Sequence, residues 1–569
     1  MRKRESIDPK PGDRRSVGRD EKTHFSKEQD DDGLATKNRR SHATAKNESP
    51  WHTFKMPEYL LVHQDLHADV CIVGAGIAGL STAYLLARAG QSVAVLDDGG
   101  LASGMTSVTT AHLASAIDDR YYEIERLHGS RGAEIAAESH SAAIDCIEEN
   151  IKREKISCDF ERLDGYLFLS PGEPEALLDR ELAAAHRAGL CGVEKVERAP
   201  LASFDTGPCL RFPNQGQFHP LKYLAGLAKA IERMGGRLFT RSHAGRIEGA
   251  PPSARVEVGD YVITAKAVVV ATNTPINDLV TLHTKQTPYM TYVIGARVPR
   301  GSVTKALYWD TGAVSEESRP AYHYVRLLDI PHKGGGNGQA EYQLLIVGGE
   351  DHRSGQAGDQ IARQGRLEAW ARDRFPMMEK LEFVWGGQVM ETMDGLAFIG
   401  RNPLDSDNIF VATGDSGMGM THGTIAGLLL TDLITGRTNP WADLYDPSRK
   451  TLKAAGIYAK ETFKTVVQYA DWLTGGDVSS TDEIALDSGA VLRRGFTKVA
   501  VYRDDRGRLH EMAATCPHLG CIVHWNQAEK SWDCPCHGSR FTAKGDVING
   551  PANTSLAPVG SKERREASG

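Results

Sequence analysis

Ala68-Asp-Val-Cys-Ile-Val-Gly-Ala-Gly-Ile-Ala-Gly79 runs from a short apolar segment into a glycine turn and the start of an Ala/Leu-rich stretch. The apolar run predicts a buried strand. Ile77 to Ala89 reads as a helix and Gln91 to Leu96 as a second apolar strand. A strand-turn-helix-strand unit of about thirty residues belongs to a parallel α/β sheet. Within it Gly74 to Gly79 reads G-x-G-x-x-G, a pattern that gains specificity only from this context. Gly74 permits the tight turn, Gly76 lets backbone approach a pyrophosphate, and Gly79 lets helix and strand pack closely. The helix N-terminus then stabilises the phosphate charge. Asp97 closes the second strand, placed to accept a hydrogen bond from a ribose hydroxyl. Gly74, Ala75, Gly76, Ile77, Ala78, Gly79 and Asp97 are the candidate dinucleotide contacts.

Outward from this unit, residues 130–190 carry Ala and Glu at helical spacing, and 220–236 predicts an amphipathic helix ended by Gly235-Gly236. Val262 to Ala271 reads as a buried strand. Residues 285–350 alternate apolar and polar, which predicts an antiparallel sheet. Asn408 to Thr413 is a further strand, followed by a glycine-rich turn and a helix from Thr424 to Ile434. Residues 449–476 predict a linker helix, and short strands and turns from Ala490 onward predict a small β domain. Residues 1–49 are polar and mixed in charge, with no apolar h-region, and read as a disordered tail without a signal peptide. The run from Lys333 to Gly338 reads as a flexible loop.

A second motif dominates the C-terminal part. Cys516-Pro-His518 and Cys534-Pro-Cys-His537 are C-x-H and C-x-x-H with fifteen residues between them. This is the Rieske pattern, in which two thiolates bind one iron of a [2Fe–2S] cluster and two imidazoles the other. A mixed Cys/His zinc site is the rival, but the fuller runs Cys516 to Cys521 and Cys534 to Ser539 favour the cluster. Residues 490–560 resemble the respiratory-type Rieske proteins. That resemblance implies a Cys521–Cys536 disulfide, against the alternative of two free thiols, and a covering proline loop at Gly550-Pro551-Ala552. It also implies that Ser539 donates a hydrogen bond to the cluster. Those proteins have a tyrosine where this chain has Phe541, which implies a lower potential, since hydrogen bonds to sulfur stabilise the reduced cluster.

Downstream of the first motif come Gly100-Leu-Ala-Ser-Gly-Met-Thr-Ser-Val-Thr-Thr-Ala-His-Leu113, Asp394-Gly-Leu-Ala-Phe-Ile-Gly400 and Ile409-Phe-Val-Ala-Thr-Gly-Asp-Ser-Gly-Met-Gly-Met-Thr421. Together these resemble the D-amino acid oxidase/glycine oxidase type of FAD-dependent oxidoreductase over residues 50–445. The resemblance implies FAD, with Ser103, Gly104, Thr109, Thr110, Gly414, Asp415, Gly417 and Thr421 as further contacts. The late turn also reads as a helix cap, and both readings can hold together. Asp97 stands where glutamate is commoner in that family. Arg246 stands where a small apolar residue would flank the adenine. The expected fold is thus a Rossmann-like α/β FAD-binding domain with an antiparallel-sheet substrate subdomain, plus a C-terminal all-β Rieske domain. The expected boundaries are 50–448 with the subdomain around 285–385, the linker at 449–476, and 477–569.

A flavin accepts electron pairs and a Rieske cluster passes single electrons, so the pair suggests oxidation of a small amine or amino acid with electrons leaving through the cluster. An external protein or quinone would accept them. The alternative is an electron-transfer protein serving a partner reductase or oxygenase; a third reading makes the Rieske domain a docking or sensing module. One dinucleotide fingerprint disfavours a nicotinamide donor, and no two-His-one-carboxylate iron motif is present. The sheet suggests Tyr289, Tyr292, Tyr322, His323, Tyr324 and Arg326 near the substrate, with Arg326 a candidate carboxylate clamp. Core packing and an edge position are the plainer alternatives for them. His112 resembles histidines that bind flavin covalently in related dehydrogenases; a neutral histidine near the cofactor is the plainer reading. The net charge of -7 gives no reason to expect nucleic acid. No apolar run is long enough for a transmembrane helix. The five scattered cysteines read as reduced, consistent with a cytoplasmic setting.

Overall fold

The structure, a computed structural model, describes residues 47–277, 281–312, 322–331 and 340–559. Most of the expected N-terminal tail and the glycine-rich loop at 333–338 lie outside them. Ser49 is already part of the fold: it is buried and its hydroxyl donates to Ser107 O at 2.5 Å.

The first motif forms the centre of a mostly parallel sheet. The strand Leu66–Val73 pairs in parallel with Tyr261–Val270 on one side and Val93–Leu96 on the other. Ile409–Thr413 and Arg237–Phe239 extend the parallel order outward, and Phe398–Arg401 closes one edge antiparallel. Such a sheet is buried on both faces, which explains its near-continuous apolar strands. The helices Ile77–Arg88 and Gly419–Ile434 pack on each other through glycines: Gly427 lies against Ser81 and Gly423 against Ile77.

The second sheet runs Leu381–Thr392, Gln286–Val298, Ala340–Arg353, Tyr324–Pro331, Leu307–Asp310, Glu161–Phe168, Cys209–Gln217 and His112–Leu113. It is antiparallel except where Leu307–Asp310 pairs in parallel with Glu161–Phe168. The expectation of a subdomain confined to about 285–385 is therefore too narrow, because strands from 112–217 complete the sheet. The expectation of helix throughout 130–190 is corrected too. One long helix spans Tyr121–Glu154, but Glu161–Phe168 is a strand before the next helix, Ala176–Arg187. Helical spacing of Ala and Glu governs the two ends; the sheet takes the middle, where Tyr166 and Phe168 add β-preferring aromatics.

The linker holds a helix at Ala455–Gln468. The C-terminal domain is all β: Ser488–Arg494, Thr497–Arg503 and Leu509–Ala513 form one antiparallel sheet, and four strands between His524 and Asn549 form another. Among the described residues no helix is long and apolar enough to cross a membrane.

Candidate functional site

The glycine turn is built as its spacing demands. Gly74 has φ +103°, and a Cβ there would sit 2.3 Å from Ala271 O; a Cβ on Gly79 would sit 1.8 Å from Gly74 O. The helix N-cap is Gly76, with no side chain to occupy the first-turn donors. Asp97 accepts from Ala75 N at 2.7 Å and Gly99 N at 2.9 Å. Burial pushes its carboxyl up to about 6 despite these bonds.

This turn opens onto a cavity of about 550 Å3. Of the sequence candidates, Gly74, Gly76, Ile77, Ala78, Asp97, Ser103, Gly104, Thr109, Thr110, Gly414, Asp415, Gly417 and Thr421 line it. Ala75 and Gly79 do not; the first fixes Asp97 and the second packs helix on strand. Ser242, His243 and Ala244 line it as well, whereas Arg246 is exposed and paired with Glu248. Ala244 thus supplies the small apolar wall that was sought at position 246. The early loop is pinned from outside, where Trp51 Nε1 donates to Thr109 O at 2.6 Å and Trp385 Nε1 to Val108 O at 2.8 Å.

Tyr322 and Tyr324 reach the cavity; Tyr289, Tyr292 and His323 do not. Tyr292 stacks on His352, and His323 bonds Asp310 at 2.9 Å and stacks on Trp370. Arg326 is corrected as a carboxylate clamp. It is 1% exposed, lies outside the cavity lining, and its guanidinium donates to the carbonyls of Thr110, Ala111 and Phe218 at 2.8–3.3 Å. Residue 326 shares a strand face with Tyr324, but its guanidinium is taken up beneath the flavin-side loop by those carbonyls instead of entering the cavity. His112 lines the cavity, with Nδ1 3.1 Å from Thr110 Oγ1 and Nε2 3.4 Å from Val325 O. Burial, and then the nearby Arg326, push it down to about 3, so it is neutral.

Asp118 and Asp351 complete this part of the wall and were not singled out in the sequence, though Asp351 lies in a glycine-rich polar run. Tyr322 Oη donates to Asp118 Oδ2 at 2.5 Å. Asp351 is pushed up to about 7, first by burial and also by Asp118.

The four ligand candidates converge on two loops of the C-terminal domain. Cys516 and Cys534 are buried side by side, and the His518 and His537 rings lie 5.0 Å apart. Cys516 N donates to Cys521 O at 2.8 Å and Cys534 N to Ser539 O at 2.8 Å, which clamps both loops. Cys521 and Cys536 form a disulfide with Cα atoms 6.4 Å apart, which removes them as ligands although Cys534 lies within 4.8 Å of both. The Ser539 hydroxyl accepts from Ala552 N at 3.0 Å, leaving its proton to point elsewhere. Two thiols and two imidazoles are the donor set a Rieske cluster needs.

The imidazole edge faces the N-terminal domain. His283, which nothing in the sequence marked, is buried with its ring 4.8 Å from that of His518 and 6.0 Å from that of His537. Gln388 joins the two sites. It lines the cavity, donates to Gly538 O at 2.8 Å, and accepts from Asn549 Nδ2. Val547 to Gly550, Ala552 and Asn553 also wall the cavity.

Residues 69–433 match the FAD dependent oxidoreductase family, DAO, and residues 476–560 match the Rieske [2Fe-2S] domain. The chain belongs to the DAO family of FAD-dependent oxidoreductases. FAD and a [2Fe–2S] cluster are accordingly its cofactors, and the cavity and the ligand loops fit them. A Bacillus subtilis protein described as a Rieske 2Fe-2S iron-sulfur protein, YhfW, is 29% identical over 90% of this chain and 97% of its own length. Gamma-glutamylputrescine oxidoreductase of Escherichia coli is 28% identical over 66% of this chain and 85% of its own. Among solved DAO structures, glycine oxidase from Geobacillus kaustophilus superposes with a TM-score of 0.54 at 19% identity, covering 68% of this chain and 99% of that one. The likeness of fold is to amine- and amino-acid-oxidising enzymes, and this DAO member carries the Rieske domain in addition.

Proposed function

We propose that this enzyme oxidises a small amine or amino acid and passes the electrons through the Rieske cluster to an external acceptor, a protein or a quinone. The carrying observation is Gln388, which walls the flavin cavity and hydrogen-bonds the residue next to His537. In this reading Cys516, His518, Cys534 and His537 hold the cluster. The glycine turn, Asp97 and the Ser103–Thr110 and Gly414–Thr421 loops hold FAD. When bound, the flavin takes the electron pair and the cluster relays it one electron at a time. The amine CH–NH becomes C=N, losing two electrons and two protons, and the acceptor is reduced by the same two electrons.

The chain's own groups position and insulate. Tyr322, held by Asp118, and Tyr324, held 2.8 Å from Thr291 Oγ1, shape the wall where the substrate would lie. His112, neutral, adds no positive charge to the flavin loop. His283 packs against the imidazole edge and Gln388 bridges the two sites by hydrogen bonds. Pro517 is exposed and His518 half-buried, which leaves that loop open to an acceptor. The proposed boundaries are an oxidoreductase domain at 50–448, a linker at 449–476 and the Rieske domain beyond. A cytoplasmic setting is part of the same reading, supported by the free thiols of Cys71, Cys146, Cys158, Cys191 and Cys209.

Anaerobic rapid mixing of the loaded enzyme with amines tests this. Flavin bleaching followed by cluster reduction is expected. Bleaching without cluster reduction defeats the relay. Reduction only by a reduced partner protein would favour the electron-transfer alternative.

A further inference from the structure

The cavity's charge says which amine. Its lining includes Asp118, Asp351, Glu391 and Asp415, with Tyr322 bonded to Asp118. Among the described residues that line it there is no lysine or arginine. The two histidines in this part, His112 and His422, are held neutral by burial. Arg326, the residue that could have met a carboxylate, spends its guanidinium on three backbone carbonyls outside the cavity.

Asp351 adds an independent sign that a ligand is missing from this wall. Its Oδ1 is buried and meets no hydrogen-bond partner. A buried carboxylate oxygen without a donor is costly, so such groups are retained where a cationic partner arrives. Asp118 is close enough to raise both Asp351 and Asp415, so the three carboxyls act as one negative field. A substrate bearing its own carboxylate would meet only repulsion here. An ammonium group would satisfy Asp351 Oδ1 and relieve the crowding of like charges.

Resting on the amine-oxidising reading above, we infer that the substrate is a diamine or polyamine: one nitrogen is presented for oxidation while a second, protonated nitrogen is held by Asp351 and Asp118. The oxidised nitrogen must be neutral to lend its lone pair to the forming C=N bond. The second must stay charged, and the carboxylates favour that form. An α-amino acid meets neither condition, because its carboxylate has no cation to pair with in the described lining.

The test uses the enzyme loaded with both cofactors and two sets of ligands. The first set cannot be oxidised, because no carbon bearing nitrogen carries a hydrogen, yet each ammonium keeps its N–H donors: 2,5-dimethylhexane-2,5-diamine, 2,5-dimethylhexan-2-amine and 4-amino-4-methylpentanoate. Calorimetry should rank them in that order, with the dication tighter than the monocation by about tenfold, the effect of one partly buried charge-assisted contact. Asp351→Asn and Asp118→Asn should each narrow that gap, while the wild-type ranking stands independently of how the variants fold. Equal binding of all three, tightest binding of the carboxylate compound, or no binding of the dication overturns the inference. The second set is 1,4-diaminobutane, 1-aminobutane and 4-aminobutanoate, read by flavin bleaching. The expected ranking in the first set with no bleaching in the second would defeat the amine-oxidase reading alone. Bleaching in which 4-aminobutanoate outperforms the diamine would defeat the diamine inference alone.

Discussion

Replacing Gln388 by leucine keeps the size of the side chain and removes its polar end. In the structure the amide donates to Gly538 O at 2.8 Å and Ser354 Oγ at 3.2 Å, and accepts from Asn549 Nδ2. Gly538 and Asn549 belong to the Rieske domain, so two of its groups lose their partners while still buried. Each orphaned group costs about 1–3 kcal/mol. The docked arrangement should therefore lose about 2–6 kcal/mol, which at tenfold per ~1.4 kcal/mol lowers the docking constant by a factor of about thirty to about twenty thousand. Amide hydrogen exchange reads this directly. The amides of Gly538–Thr542 and Val547–Asn549 should lose protection, whereas those of the strand Leu66–Val73, far from the contact, should not. Rapid mixing reads the consequence, as cluster reduction should slow relative to flavin bleaching. Unchanged protection together with an unchanged cluster phase would refute the view that Gln388 holds the two redox sites together.

Asp394 and Arg449 form a buried two-point pair at 2.7 and 2.9 Å, with Thr451 also donating to the carboxylate. Burial alone would raise the Asp394 carboxyl, but Arg449 and Thr451 hold it well below the usual range. Asp394→Ala should cost about 3–5 kcal/mol in urea unfolding, because it strands the guanidinium. Reducing the Cys521–Cys536 link by a double serine substitution opens a crosslink of sequence separation 15 and should cost the Rieske domain about 3 kcal/mol. Thermal unfolding of the loaded enzyme checks it. Phe541 is fully buried in the same apolar cluster as Cys516 and Cys534, so Phe541→Tyr should raise the cluster potential in a redox titration. Asp351 titrates near 7 in the fold against an ordinary value of 3.8, so the folded chain holds the extra proton between those values. Its contribution to stability is therefore present below about pH 4 and is lost as pH rises through 7. Urea midpoints at pH 5 and 7.5 should show that slope flattened in Asp351→Asn, and diamine affinity should rise with pH through about 7 in the wild type.

The parts of this molecule legible in the sequence are those where local geometry and chemistry coincide. Gly74 and Gly79 mark contacts that no Cβ could enter, and Cys516-x-His518 with Cys534-x-x-His537 mark a donor set few alternatives use. The expected Cys521–Cys536 disulfide is present. What sequence could not show depends on chain segments far apart. His283 is a lone histidine in a loop until folding sets it against His518, 235 positions later by the numbering. Asp118 gains meaning only beside Tyr322 and Asp351. Arg326 failed as a clamp because its guanidinium is held by the carbonyls of Thr110, Ala111 and Phe218, partners more than a hundred positions away in the chain that no local pattern announces. The strand Glu161–Phe168 was hidden because its alternation is short and flanked by helical sequence on both sides.

One strand carries the geometry between the two redox sites. Among the described residues Leu381–Thr392 is the edge of its sheet, paired only with Gln286–Val298. Gly387, Val389 and Glu391 line the flavin cavity. Between them, with the period of two that a strand enforces, Gln388 extends to Gly538 and Asn549. Pro288 of the neighbouring strand packs on Gly538 from the same side. The Rieske domain is thus seated on one face of this strand and its neighbour, which docks the ligand loop. A one-residue slip of this strand would exchange the faces, breaking the bonds of Gln388 to Gly538 and Asn549 and turning Val389 toward the Rieske loop. Register in a single β-ladder therefore fixes both the wall of the flavin site and the seat of the cluster, and the two sites cannot be repositioned independently by loop changes at either one.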